Sequence, residues 1–331
     1  MNEEFKKLQE SWLDFEQFKL KYQKVEVEEY PNNVLKVVPK PEISVHIITF
    51  QHASYIREAI DCVLMQKVDV PWEIILGDDD SSDGTREICI EYAQKHPDLI
   101  RLFLHKRENN IKVRDKPTGI FQVAYNILNC KGKYLSLLGG DDYFQDKNKI
   151  NIQISHLKDN NKIFFNFHEY LNIYMSNDKK INKKEKINKK AEKIQTIVGV
   201  NIFNKLPIEF TQIMQEDSFF KFFWKSLGNS QYLHNIDPSV IRFHLKSMYT
   251  SLDEDEVYKQ RLNLWSNIIS ACNNQIKFTK KAKSKYFRVI YTYHVRNGKG
   301  YSFKNLFQFL SEIKRNGLYK QLFLHLSRIF F

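Results

Sequence analysis

No run of about 18 uncharged apolar residues occurs, the length a helix needs to cross a bilayer, so the sequence predicts no spanning segment. An apolar centre near the start is missing as well. MNEEFKKLQESWLDFEQF is charged throughout, unlike a secretory leader. Cysteine is sparse: Cys62, Cys89, Cys130 and Cys272 lie far apart with no C-x-x-C spacing. That excludes a disulfide frame or zinc motif as an expectation and points to reduced thiols in a cytoplasmic protein. Internal repeats are absent too. With 331 residues, 42% of them hydrophobic, and a mean hydropathy of -0.50, the chain has material for one large domain with appendages.

Positive charge is plentiful. The net charge is +12, and eight lysines fall within DKKINKKEKINKKAEK, residues 178–193. No aromatic residues are interleaved there for base stacking, so the expectation is a solvated insertion over about 176–195 and no nucleic-acid partner.

Residues 1–40 read as a helical extension, with Phe5, Leu8, Trp12, Phe15 and Phe18 or Leu20 at roughly helical spacing before Pro31, Pro39 and Pro41 break the pattern. The chain then alternates. ISVHIITF is a β-rich run, and SYIREAIDCVLMQ carries Ile56, Ala59, Ile60, Val63 and Leu64 on one helical stripe. WEIILGD, LIRLFLH and YLSLLGG are further strands; helices start near Thr85, capped by Ser82 or Asp83, and within TGIFQVAYNILNC. This alternation predicts an α/β fold with a mainly parallel sheet flanked by helices, over residues 41–252. KIFFNFHEYLNIYM is strand-like, and FTQIMQEDSFFKFFWKSLG reads as a helix opened by Glu216 and Asp217. Residues 253–331 form a helical C-terminal region, interrupted at Gly298, Gly300 and Gly317.

Clustered acids end two of the strands. EIILGDDDSSDGT delivers Asp78, Asp79 and Asp80, and LLGGDDYF delivers Asp141 and Asp142 after Gly139 and Gly140. Ligands of an open parallel sheet bind beyond the carboxyl ends of its strands. A divalent cation or polar ligand there would offset the repulsion between like charges. The alternative is a turn and a helix cap, the role expected of Asp83.

In this order, ISVHIITFQHASYIREAIDCVLMQ, WEIILGDDDSSDGT, GKYLSLLGGDDYF and QEDSFFKF resemble the inverting family 2 glycosyltransferases, which have the GT-A fold. The likeness is greatest to bacterial enzymes that build capsule, lipopolysaccharide and related surface glycans, and it covers residues 43–252. The resemblance implies transfer of a sugar from a nucleotide diphosphate, with a UDP-sugar as the expected donor, to an acceptor hydroxyl. It assigns Thr49, Phe50, Asp78, Asp79 and Gly140 to the nucleotide, the aspartates accepting from the base and touching the ribose. Lys112 and Arg114 would pair with phosphate. Asp141 would hold Mn2+ or Mg2+ directly, with Asp142 beside it and His244 as a further ligand or phosphate contact; Arg242 would pair with the diphosphate. Gly139 departs from the pattern, standing where the first acid of the cation motif is expected. Asp217, with Glu216 beside it, would take the acceptor proton, the alternative being that both only cap their helix. His52 is a minor candidate and His168 a structural one.

The tail, SFKNLFQFLSEIKRNGLYKQLFLHLSRIFF, mixes aromatic and aliphatic residues with lysine and arginine. It suits an in-plane helix on an anionic membrane or a helix on the protein's own core. A lipid-linked oligosaccharide acceptor would favour the first, peripheral on the inner face of the cytoplasmic membrane. Two other functions remain open. A sugar nucleotidyltransferase would carry a glycine-rich basic signature after the first strand, which TFQHASYIREAI lacks, and a non-catalytic donor-binding protein is raised by Gly139.

Overall fold

The computed structural model describes residues 3–176, 179–180, 187–188, 192–244, 253–273, 275–293, 310–319 and 321–322. Most of the lysine-rich segment and much of the basic tail lie outside them. The chain divides into two compact units. One comprises Met1–Ser11, Pro207–Phe219 and Ser251–Phe331; the other comprises Trp12–Leu206 and Phe220–Thr250.

The second unit is built on a sheet. Strands β1 (Glu28–Glu29), β2 (Ile43–Thr49), β3 (Trp72–Asp78), β4 (Ile100–Leu104), β7 (Tyr134–Gly139), β8 (Ile163–Phe167), β12 (Val198–Val200) and β13 (Asn229–Tyr232) lie in the order β1-β4-β3-β2-β7-β12-β8-β13. The central four, β4-β3-β2-β7, are parallel, while β1 and β12 run antiparallel to their neighbours. Burial explains the parallel centre: β2, β3, β4 and β7 are enclosed along almost their whole length, which is why they read as continuous apolar runs. The short polar β1 has no such pattern, and nothing in the sequence marked it out within the N-terminal segment, whose helices are α1 (Glu3–Gln9), α2 (Phe15–Tyr22) and α3 (Val34–Val37).

Helices α4 (Ile56–Leu64), α5 (Thr85–Lys95) and α7 (Lys149–Asp159) cover one face. Ile56, Ala59, Ile60 and Val63 of α4 are fully buried with Val45, Ile47, Ile74 and Leu76 of the sheet. On the opposite face lies α6 (Ile120–Asn129), whose Phe121 and Tyr125 pack with Phe18, Phe103 and His105.

A second sheet, formed by β9 (Tyr170–Ser176), β10 (Lys179–Lys180), β11 (Ile187–Asn188) and β14 (Ser239–Phe243), places β14 parallel to β9. Its consequence is local. Tyr143 and Val240 exchange backbone hydrogen bonds at 3.2 and 2.8 Å, which lays β14 beside the chain just after β7. A hairpin of β5 (Lys112–Val113) and β6 (Lys116–Pro117) completes this unit's strands among the described residues.

In the first unit, α9 (Glu254–Ala271) and α10 (Ile276–Tyr291) pack together, with Tyr286, Phe287, Ile290, Ile313 and Leu318 as a separate apolar cluster. Phe5 meets Phe278, and Phe210 meets Phe219. The division between units falls inside α8 (Glu216–Leu227): Glu216 and Asp217 belong to the first, Trp224 to the second. All four cysteines are buried and free. Among the described residues, no helix is long and apolar enough to cross a membrane.

Candidate functional site

The parallel strands β2, β3 and β7 empty their carboxyl ends side by side, with Thr49 paired to Asp78 and Ile48 to Gly139 in register. Hence residues distant in sequence meet there.

At the end of β3, Asp78 is fully buried. Its Oδ2 accepts from Arg86 Nε at 2.6 Å and from Ser81 N at 3.2 Å, while Oδ1 accepts nothing. Asp79 is 1% exposed; its Oδ2 accepts from Arg107 Nη1 at 2.9 Å and Asn110 Nδ2 at 3.1 Å, and its Oδ1 is likewise buried without a partner. Burial pushes the Asp79 carboxyl up to about 6, against the pull of Asn110 and Arg107. A buried acceptor left unmade costs about 1–3 kcal/mol, so two at one strand end mark a place where a donor is missing. Asp80 takes a left-handed backbone, φ 63°, and pairs with Arg86 and Lys106 at 3.5 and 3.8 Å. Asp83 serves the turn: it accepts from Thr85 N and Oγ1 at 3.1 and 2.6 Å and from Ala53 N at 3.1 Å. Although burial opposes it, those bonds hold its carboxyl below the usual range.

Thr49 is buried, and its carbonyl accepts from Asp79 N at 3.0 Å. Phe50 is 38% exposed, with the Arg107 guanidinium 4.2 Å from its ring centre. Lys112 is exposed on its hairpin, in the wall of a cleft with Lys21, Tyr22, Lys24, Asn109 and Asn110.

Beyond β7, Gly140 is required by close approach. A Cβ there would stand 2.6 Å from Thr49 Oγ1, 2.7 Å from Thr49 Cβ and 3.0 Å from His52 Nδ1. At Gly139 a Cβ would instead meet the far end of the Asp141 side chain, 2.7 Å from its Oδ1. Asp141 Oδ2 and His244 Nε2 are 3.1 Å apart, and His52, Asp141 and His244 each bring one ligand atom into a set whose members all lie within 4.8 Å of one another. Tyr55 stacks on the His244 ring at 5.2 Å. Burial raises the Asp141 carboxyl, but the His244 hydrogen bond and the two nearby imidazoles outweigh it and leave the group low.

Asp142 behaves differently. It is 3% exposed, its Oδ1 accepts from Arg242 N at 2.9 Å, and its Oδ2 accepts from Gln195 Nε2 at 2.6 Å. Burial and the adjacent Asp141 push it well up. Arg242 is equally engaged: Nη1 donates to Asp141 O at 2.7 Å, and Nη2 pairs with Glu58.

Within the other unit, Glu216 and Asp217 open α8. Burial first, then Asp217, raises the Glu216 carboxyl to about 7.

The second unit therefore gathers Thr49, Phe50, Asp78 and Asp79 at one pair of strand ends and Gly140, Asp141 and His244 at the next. Lys112 makes no contact with either group that the structure records. Sequence reasoning had not named Arg86, Arg107, Asn110 or Gln195, and had set His52 low. Arg107 and Asn110 lie in HKRENN, the loop leaving the carboxyl end of β4. The strand-end rule that found the aspartates would have found them too.

Residues 44–210, just over half the chain, match the model of Glycosyl transferase family 2. An uncharacterized protein of Mycobacterium tuberculosis is 35% identical over 132 residues, 40% of this chain and 36% of the relative. An uncharacterized glycosyltransferase of Rickettsia felis is 33% identical over 132 residues, 39% of this chain and 19% of its own. These matches span about a third and a fifth of the relatives' lengths. Among solved structures, Staphylococcus aureus TarS 1-349 in complex with UDP-GlcNAc superposes with a TM-score of 0.53 at 15% identity, over 82% of this chain and 79% of that one. That likeness establishes a shared GT-A fold.

Proposed function

The chain belongs to glycosyltransferase family 2, and from that membership we propose that it moves a sugar from a UDP-sugar donor to a hydroxyl of a bacterial surface glycan, inverting the anomeric carbon. The observation that carries the donor assignment is the pair of buried, unpartnered carboxylate oxygens, Asp78 Oδ1 and Asp79 Oδ1. Uracil offers an N–H and ribose offers hydroxyls, the donors such oxygens lack. Phe50, with Arg107 against its ring, supplies a flat surface beside them. The same fold in TarS is recorded with UDP-GlcNAc, which favours a uridine nucleotide.

The donor set formed by a carboxylate and imidazole nitrogens fits a divalent cation such as Mn2+, with Asp141 and His244 holding it. When bound, the cation supplies positive charge against the departing diphosphate. Asp142 is assigned to positioning, since both its oxygens are used to fix Arg242 and Gln195. Asp217 is the base for the acceptor hydroxyl, with Glu216 beside it remaining neutral up to about pH 7. The acceptor reading, a growing glycan carried on a lipid, rests on the sequence resemblance alone.

The test is hydrolysis and transfer from a panel of nucleotide sugars, UDP-GlcNAc included, with Mn2+ present. Native protein should turn over one donor, and Asp141→Ala and Asp217→Ala should each lose about a hundredfold or more. Equal rates in all three would sink the catalytic assignment and leave the donor-binding alternative that Gly139 raises.

A further inference from the structure

We propose that His52 is a third protein ligand of the cation, so that His52, Asp141 and His244 form a site of two imidazoles and one carboxylate. Such a site takes Mn2+, Co2+ or Zn2+ and discriminates against Mg2+ and Ca2+. The inference rests on the reading above that a cation sits beside Asp141, and it names both a ligand and a class of ion.

One ring nitrogen of His52 joins a nitrogen of His244 and an oxygen of Asp141 within 4.8 Å. His52 is held on several sides. Its backbone N–H donates to Thr85 Oγ1 at 2.8 Å, and its carbonyl accepts from Tyr55 N and Ile56 N, both at 2.8 Å. Its Nδ1 stands 3.1 Å from Thr49 Oγ1. In the tautomer in which Nδ1 donates to that hydroxyl the lone pair lies on Nε2, and a hydrogen bond on the second nitrogen is how imidazole ligands are commonly oriented. Gly140 leaves the necessary room, since a Cβ there would crowd both His52 Nδ1 and Thr49 Oγ1, at 3.0 and 2.6 Å.

The composition of the set decides the ion. Asp142, the nearest second carboxylate in sequence, has both oxygens engaged by Arg242 N and Gln195 Nε2. Gly139 contributes no side chain. The protein therefore presents more nitrogen than oxygen. Mg2+ demands oxygen ligands and gives up water reluctantly, whereas imidazole suits Co2+ and Zn2+, with Mn2+ between.

Calorimetric titration of the full chain with the chlorides of Mg2+, Mn2+ and Co2+, metal alone, tests this on native protein, His52→Ala and His52→Gln. Native protein should bind Co2+ about tenfold or more tighter than Mg2+. Both variants should lose about tenfold or more in Co2+ affinity, Mg2+ affinity staying within about threefold. The visible absorption of bound Co2+ should change with the loss of a nitrogen ligand. Unchanged Co2+ affinity in a folded variant, or Mg2+ binding as tight as Co2+ in native protein, overturns the proposal; should His52→Ala fail to fold, His52→Gln decides. Donor turnover with the wrong metal order refutes the His52 assignment alone. The expected metal order without turnover of any donor refutes glycosyl transfer and leaves the cation site standing.

Discussion

Gly140 shows how much a single hydrogen atom controls. Thr49 Oγ1 and His52 Nδ1 both stand where its Cβ would be, so Gly140→Ala must displace backbone, Thr49 or the imidazole. The expected cost is about 1–3 kcal/mol in thermal unfolding, with weakened Mn2+ binding in the same protein. Lys149 poses the opposite problem. It is fully buried, its ammonium lies 4.2 Å from the Phe144 ring centre, and Nζ makes no hydrogen bond. Burial lowers it from 10.5 to about 7. Between those values the unfolded chain binds the proton and the native chain does not, so stability rises with pH across the window. Below about pH 7 the native state bears the buried charge in full. Lys149→Met should therefore raise the melting temperature most at or below pH 7, with the gain shrinking toward pH 10. A gain independent of pH would show that the amine is not the source. His46, which sequence reasoning passed over, is buried beside His105 and lowered to about 3 by that burial. The sequence shows a histidine in a strand, and only packing shows that it stays neutral.

Among the elements, the turn after β3 concentrates the most chemistry. The Asp79 carboxyl is raised to about 6 chiefly by burial, so it is ionised above that pH and neutral below. A carboxylate accepts a base N–H more strongly than a neutral acid does. Uridine, which lacks a phosphate titration of its own, should thus bind with constant affinity between about pH 6 and about pH 8, where its base keeps the N–H, and up to tenfold more weakly per unit below about pH 6. Asp79→Asn should bind weakly throughout and lose the pH dependence; a native profile flat to pH 4.5 would remove Asp79 from the nucleotide site. Strands β2, β3, β4 and β7 and helices α4, α5, α6 and α8 were legible because burial on one or both faces writes itself into residue order. The pairing of β14 with β9, and its bridge at Tyr143 to the segment after β7, was not legible. That pairing delivers Arg242 N to Asp142 and His244 to Asp141 across about a hundred residues of chain, and hydrophobic periodicity carries no information about contacts at that range.

At the scale of the whole molecule, charge is unevenly spread. Basic residues gather in three stretches: residues 178–193, residues 276–300 with eight lysines and arginines and no acid, and a tail that carries Lys304, Lys314, Arg315, Lys320 and Arg328 among phenylalanines and leucines. Each basic side chain near an anionic surface contributes about 1 kcal/mol, screened by salt. The full chain should therefore sediment with vesicles containing an anionic lipid at low salt, be released at about 0.5 M salt, and ignore neutral vesicles. Replacing Lys304, Lys314, Arg315, Lys320 and Arg328 with glutamine, which keeps the buried Ile313 and Leu318, should weaken the sedimentation; unchanged sedimentation would place the binding in the other basic segments. The two compact units add what linear order concealed, since residues 1–11 and 207–219 group with the C-terminal helices rather than with the sheet they border in sequence.

By itself the sequence determined the α/β class and the strands whose ends carry acid, and its ordered motifs showed the resemblance to glycosyltransferase family 2, because periodicity and short motifs are local and survive without coordinates. It also set Gly139 where that resemblance expects an acid. Tertiary structure decided how the remaining acids differ. Asp141 and Asp142 are adjacent in the chain, yet one meets two imidazoles while the other is consumed by a backbone N–H and an amide. Direction of the side chain, set by the turn after β7 and by β14 alongside it, separates two residues of identical type, and no one-dimensional pattern encodes that direction.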